Sequence, residues 1–295
     1  MMPALLDLRY KPKKKSFQGC QPCEAFKLFD WVIWLPDSKY SCRYRRVIPR
    51  TVLCLANAKS LRVLNKLKAF LKNTTVVIAG EDTNLSAVLP TVETLLPYCS
   101  DIYYEAKDID HSQIKSFCMG FTSFYLKRVG LDVISELSVS VSNPMWEKQG
   151  LLAAWGGIFP ALDQRLSDRR AAIDFVESCA WIQREALEPA DYWKRLAESK
   201  FLLAPAGRGV QSPKLAEAWL MRTVPIVTDN PCFRDLQRAG FPLLILKTWN
   251  ELTQEVLQEF EPKRSNIDWG KIQFMLTLEY FRSHYLFSSN SAQSP

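Results

Sequence analysis

Between Tyr192 and Val227 the chain can be laid out element by element from its residues alone. Residues 192–198 carry helical apolar spacing, Phe201-Leu202-Leu203-Ala204 is a short apolar run of buried-strand type, and Val224-Pro225-Ile226-Val227 is a second one. Between the strands lie Gly207 and Gly209, then Ser212-Pro213, which reads as a helix start. The serine hydroxyl can accept a hydrogen bond from a free backbone amide, and proline fits the first helical position because its missing N–H has no partner there anyway. Two glycines let the backbone approach a ligand closely, and the helix end presents free amides and the positive end of its dipole to the same space. The predicted product is a phosphate-binding turn between two strands.

Lys214 falls in the first turn of that helix, where it can pair with phosphate oxygens, and Glu217 lies one turn further on the same face, within reach of two neighbouring ribose hydroxyls. The order of parts, Tyr192, Ser199-Lys200-Phe201, Pro205, Gly207, Gly209, Ser212, Lys214, Glu217-Ala218 and Val224-Pro225-Ile226-Val227, resembles the donor half of GT-B glycosyltransferases, in particular the exostosin-like group. The likeness is strongest over residues 190–250. One departure is Lys214, where many members of that group have arginine; a lysine cannot grip a diphosphate with two parallel bonds. A second lies in Lys115-Ser116-Phe117-Cys118-Met119-Gly120, which resembles the group's turn before the interdomain region but lacks its proline.

At 295 residues the chain is long enough for two domains, each with its own core, and 47% hydrophobic with 23% charged residues is the composition of a globular protein rather than a disordered one. Short apolar strands at residues 31–35, 51–55, 76–79 and 102–104 alternate with helical patterns at 60–71 and 85–98, so a parallel sheet is expected. A second unit begins at Leu151, with a Gly156-Gly157 turn, a helix over 162–178, and strands near 179–182, 201–204, 224–227 and 243–246. The expected fold is α/β and GT-B-like, with two Rossmann-like doubly wound domains facing a cleft. Residues 1–142 form the acceptor-side domain and 143–265 the donor domain. By the resemblance, the amphipathic stretch from Trp269 to Phe287 returns to the first domain, within a terminal segment of 266–295.

Ligands of open α/β sheets bind at the carboxyl ends of strands. On the donor side the expected binding set is Gly156, Gly157, Arg165, Arg169, Trp181, Gly207, Arg208, Gly209, Gln211, Ser212, Lys214 and Glu217. Arginines suit phosphate geometry, and Trp181 offers a face for a nucleobase. On the acceptor side Glu81 and Asp82 directly follow a buried strand, and a carboxylate shielded there can serve as general base. Asp82, the shorter and stiffer, is preferred, with Glu81 and His111 as competitors.

No metal site is expected: Asp108-Ile109-Asp110 stands away from the phosphate turn, Cys20-Gln21-Pro22-Cys23 has no second pair, and the chain has only two histidines. No cofactor is needed beyond the nucleotide-sugar substrate, UDP being the expected carrier and a glycan hydroxyl the acceptor. The resemblance implies inversion at the sugar carbon. The expected place is cytoplasmic, since no membrane span or signal peptide is evident and the eight cysteines read as reduced; in this the chain is similar to the short, anchorless transferases of bacteria and large algal viruses.

The net charge of +7 is a mild excess, concentrated in Lys11, Lys13, Lys14 and Lys15 and in Arg43, Arg45, Arg46 and Arg50. A solvated basic surface is the first expectation and no nucleic-acid partner is foreseen, with contact to nucleic acid or an anionic membrane the lesser alternative. Two other functions compete. An adenosyl-methionine-dependent methyltransferase would use residues 76–82 as strand and acidic loop, but leaves Ser212 to Glu217 unexplained. A binding module without transferase activity would rest on the basic start and the nine tryptophans, which fall mostly in core-like segments.

Overall fold

The strands Thr51–Leu55 and Thr74–Ala79 are buried at every residue, which only a sheet covered on both faces allows. In the computed structural model, which describes residues 24–35, 41–154, 167–207 and 209–286, they are β3 and β4 of a six-stranded sheet. The others are β1 (Trp31–Trp34), β2 (Ser41–Tyr44), β5 (Cys99–Tyr104) and β6 (Ile114–Lys115). The spatial order is β2-β1-β3-β4-β5-β6, parallel throughout except for β2, an antiparallel edge strand that the sequence pattern does not announce.

Each parallel crossover moves to the next strand in the same direction, so right-handed connections put their helices on one face. Helices α1 (Ala58–Lys66) and α2 (Leu89–Glu93) lie there, with Leu61, Leu64 and Val92 packed on Val52, Cys54, Val76, Ile78 and Tyr104. The alternate residues Val32, Trp34, Leu53, Leu55, Val77 and Tyr103 face the other way. Their cover comes from the two ends of the described chain. Phe26 and Phe29 lie there with Phe281, Tyr285 and Leu286, and the Tyr103 and Tyr285 rings meet edge-on at 5.1 Å.

Two short helices, α3 (Ser123–Val129) and α4 (Leu131–Ser140), lead to the second sheet and pack on α6 (Pro189–Glu198). That sheet runs β7 (Leu151–Leu152), β8 (Phe201–Leu203), β9 (Val224–Thr228), β10 (Leu244–Leu246), all parallel. One face is covered by α5 (Ser167–Ser178) and by Val256, Leu257 and Phe260 of a later helix; the other by α6, α7 (Pro213–Leu220) and α8 (Pro231–Arg238). The protein is thus an α/β structure of two Rossmann-like domains. The later helix is α9 (Gln254–Ser265), followed by α10 (Trp269–Met275), which packs on α7, and α11 (Leu278–Phe281).

Other elements differ from expectation as well. Residues 179–182 form a turn rather than a strand; the pairing partner of Ala153 is Arg184, in a single bridge. The helix expected over 85–98 shrinks to one turn of 3-10 helix and α2, and no side chain caps either start. The single helix expected over 269–287 breaks at Leu276-Thr277, where the Thr277 hydroxyl accepts from the Tyr280 amide at 3.1 Å and starts α11. The break lets the chain leave α7 and reach the first sheet.

Candidate functional site

The two sheets point their carboxyl ends at each other, and the contact between them is polar and buried. Gln211, in the loop after β8, is only 2% exposed. Its side-chain amide donates to the carbonyls of Glu105 (2.7 Å) and Phe117 (2.8 Å), and its carbonyl accepts from the Met119 amide (3.1 Å). All three partners belong to the first domain. Beside it, Asp235 of α8 accepts from Lys107 Nζ at 2.8 Å and from the Ser116 amide at 3.1 Å. Gln211, expected among the donor ligands, commits its side-chain amide to protein partners and straps the two domains together.

The loop after β4 meets the same strap from the other side. Gly80 has φ +91, and a Cβ on it would fall 2.1 Å from Cη2 of Trp34, so glycine is required there. Its amide donates to the buried Glu105 carboxylate at 2.6 Å. Since the Glu105 carbonyl holds Gln211, one residue joins the acidic loop of the first domain to the glycine loop of the second. Glu81 and Asp82 follow directly, half-buried, at the cleft. His111 has partners of its own. Its Nε2 lies 3.7 Å from the Glu93 carboxylate of α2, and its Nδ1 accepts from the Gln113 amide at 3.2 Å, just ahead of β6.

On the donor side, α7 starts where its residues dictate: Ser212 is the N-cap, its hydroxyl accepting from the Lys214 amide at 3.4 Å, and Pro213 opens the helix. Lys214 folds its ammonium over the Tyr192 ring, 3.7 Å from the centroid. Burial lowers its pKa to about 8 against the pull of Glu217, and the nearby Arg169 adds to the lowering. Lys214 as a whole stays half-buried. Glu217, one turn deeper, is buried; desolvation raises its pKa, while Lys214 and then the Tyr192 hydroxyl act in the opposite direction. The Tyr192 hydroxyl itself stays short of full hydrogen-bond geometry.

Arg169 reaches this place from α5. Its Nη2 lies 3.2 Å from where a Cβ on Gly207 would stand, so the glycine admits the guanidinium. Asp168, which sequence reasoning passed over, sets that approach. One carboxylate oxygen accepts from the Ala206 amide (2.7 Å); the other accepts from the Thr228 hydroxyl (2.9 Å) and Trp249 Nε1 (2.8 Å). The acid thereby ties the first turn of α5 to the loop after β8, the end of β9 and the turn after β10, all at the carboxyl end of the second sheet. An acid directly before Arg169-Arg170 in a first helical turn was the available signal.

Arg169, Gly207, Gly209, Ser212, Lys214 and Glu217 thus belong to one neighbourhood. Trp181 instead stands in the exposed turn after α5. Gly156, Gly157, Arg165 and Arg208 lie outside the described residues, as do Cys20 and Cys23. A hollow of about 680 Å³ opens along α5 between Asp168, Asp174, Lys247 and Trp249; none of the residues at the start of α7 lines it. Among the described residues no three His, Cys, Asp or Glu cluster as a metal ion requires, the six cysteines are free thiols, and no helix is long and apolar enough to cross a membrane.

Positive groups at a capped helix start, over glycines and beside a buried carboxylate, can hold a diphosphate with a polyhydroxyl group next to it. The lowered pKa of Lys214 gives this a pH signature. In the empty protein the ammonium is penalised, so the proton is lost above about pH 8 instead of near 10.5. A bound diphosphate favours the charged form, and UDP affinity is expected to fall as pH rises through 8, by up to about tenfold per unit. Calorimetric titration at pH 7, 8 and 9 measures this; Lys214→Arg, which keeps its charge, flattens the profile, and an equally steep profile in that variant refutes the assignment.

No family model matches the chain, and no curated protein matches it. Among solved structures it is similar to a Listeria monocytogenes protein described as a UDP-N-acetylglucosamine 2-epimerase, with 12% identity over 81% of this chain and 71% of that one and a TM-score of 0.33. So loose an overlap carries no weight for function, and the chemistry rests on the residues themselves.

Proposed function

We propose that this protein is a glycosyltransferase of the exostosin-like kind, moving a sugar such as xylose or a hexose from its UDP carrier to a glycan hydroxyl. The observation that carries this reading is the convergence of Arg169, Lys214 and the capped start of α7 on one side of a buried carboxylate, Glu217. In this reading the amides of α7, Lys214 and Arg169 take the diphosphate, and Glu217 accepts from the ribose hydroxyls. The acceptor oxygen attacks the anomeric carbon, the bond to the diphosphate breaks with its electron pair leaving on the phosphate oxygen, and the acceptor proton passes to Asp82. Fixed cations and helix amides are what a departing diphosphate needs, and holding them in place beforehand avoids reorganisation in the transition state. Direct attack inverts the sugar carbon.

Calorimetry with UDP, adenosyl-methionine and a short DNA duplex separates this from the methyltransferase and nucleic-acid alternatives. UDP is expected to bind and the other two not. Glu217→Ala is expected to weaken UDP binding by roughly ten- to a hundredfold, the worth of about 1.5–3 kcal/mol for hydrogen bonds to a charged group. Tight binding of adenosyl-methionine without UDP binding would discard the reading.

A further inference from the structure

The opposite end of the first domain, away from the cleft, carries a surface that sugar transfer does not use. The connection from β2 to β3 projects two adjacent aliphatic side chains into water, Val47 at 80% and Ile48 at 63% exposure. Tyr44 (50%) and Phe70 (46%) stand beside them, both against the ring of Trp31, at 5.2 and 6.3 Å between centroids. The backbone beneath is held on both sides: Trp31 Nε1 donates to the Arg46 carbonyl at 2.6 Å, and the Thr74 hydroxyl donates to the Pro49 carbonyl at 2.7 Å. Val47 and Ile48 are thus the tip of a braced turn, and among the described residues they have little apolar cover.

The charges around the tip are predominantly positive. Arg45, Arg46 and Arg50 flank it in sequence, and Lys68 and Lys72 stand two residues to either side of Phe70, the Lys68 ammonium 5.2 Å from the Tyr98 ring centroid. Asp30 sits among them but is already engaged, by the Arg46 guanidinium at 3.4 Å and the Arg50 amide at 2.8 Å. A purely polyanionic partner such as a nucleic-acid backbone accounts for the cations and leaves two bare aliphatics in water. An anionic lipid surface accounts for both, because apolar tips enter the interfacial layer while arginines and lysines meet the headgroup phosphates.

We propose that this face docks the protein on the surface of an anionic bilayer, with Val47 and Ile48 inserted and the cleft at the far end of the domain open to the aqueous side. The proposal stands whether or not the cleft transfers sugar. The test is co-sedimentation of the full chain with phosphatidylcholine vesicles with and without 30% phosphatidylserine. Binding is expected to the phosphatidylserine vesicles only, weakening with salt. Lysines of the first fifteen residues also attract anionic lipid, so the deciding comparison is Val47→Ser/Ile48→Ser, which leaves every charge in place. Both positions are exposed, so the variant is expected to keep its melting temperature, and its vesicle partitioning to drop at least tenfold. Unchanged partitioning in the variant, equal binding to neutral vesicles, or no binding at all overturns the proposal. So does a gel shift with DNA as strong as the vesicle binding and indifferent to the variant, or a dimer in sedimentation velocity that the variant dissociates.

Discussion

Asp82→Asn is expected to slow sugar transfer by roughly a hundred- to ten-thousandfold while leaving UDP affinity nearly unchanged, because asparagine keeps the size and much of the hydrogen bonding of the carboxylate but cannot take a proton. The backbone that presents it is fixed: Gly80 is pressed against Trp34 in a conformation that side chains rarely adopt, and its amide is held by Glu105. A carboxylate carried by such a turn keeps its place as substrate arrives. Glu81→Gln is expected to be milder, since Asp82 is the shorter and stiffer of the two carboxylates. His111→Gln is expected to be milder still, because that imidazole is occupied by Glu93 and the Gln113 amide. Single-turnover transfer measured beside UDP calorimetry decides among them. Near-normal transfer by Asp82→Asn removes it as the base, and joint loss of transfer and UDP binding makes the loop structural.

Gln211→Leu is expected to be the most destabilising single change in the cleft. Leucine has a similar volume but leaves the Phe117 carbonyl and the Met119 amide without the Gln211 partner and the Glu105 carbonyl with only the weak Cys232 thiol at 3.7 Å, all in fully buried surroundings. Each unsatisfied buried group costs about 1–3 kcal/mol, so a loss of roughly 3 kcal/mol or more follows. For a protein of this size that lowers the melting temperature by roughly 6 °C or more. UDP affinity is expected to fall too, since Ser212 is the next residue and the strap sets where α7 begins relative to the first domain. Scanning calorimetry is the direct measurement, and a shift under about 1 °C shows that the strap carries no load.

Neither Gln211 nor Glu105 stands out in the amino-acid order. Gln211 resembles any polar residue of a glycine loop, and its partners are 92 to 106 positions away. Lys107 and Asp235 are 128 apart and would each pass for a surface charge. Asp168 finds Ala206, Thr228 and Trp249 only because β8, β9 and the turn after β10 end at one level of the sheet.

What the sequence by itself determined is local. A hydroxyl two residues ahead of an amide caps a helix whatever surrounds it, so Ser212-Pro213 fixed the start of α7. Lys214 and Glu217 then share a face by the helical repeat. Apolar runs of strand length placed β3, β4, β8 and β9 within a residue or two, because a buried strand tolerates little else. Tertiary structure decided everything that depends on which ends meet. It left 179–182 a turn and broke the last helix at Thr277 so that Phe281 and Tyr285 could cover the first sheet. It also turned Gln211 inward, because a buried amide is stable only where donors and acceptors converge on it, and that convergence is made by chain segments remote in sequence.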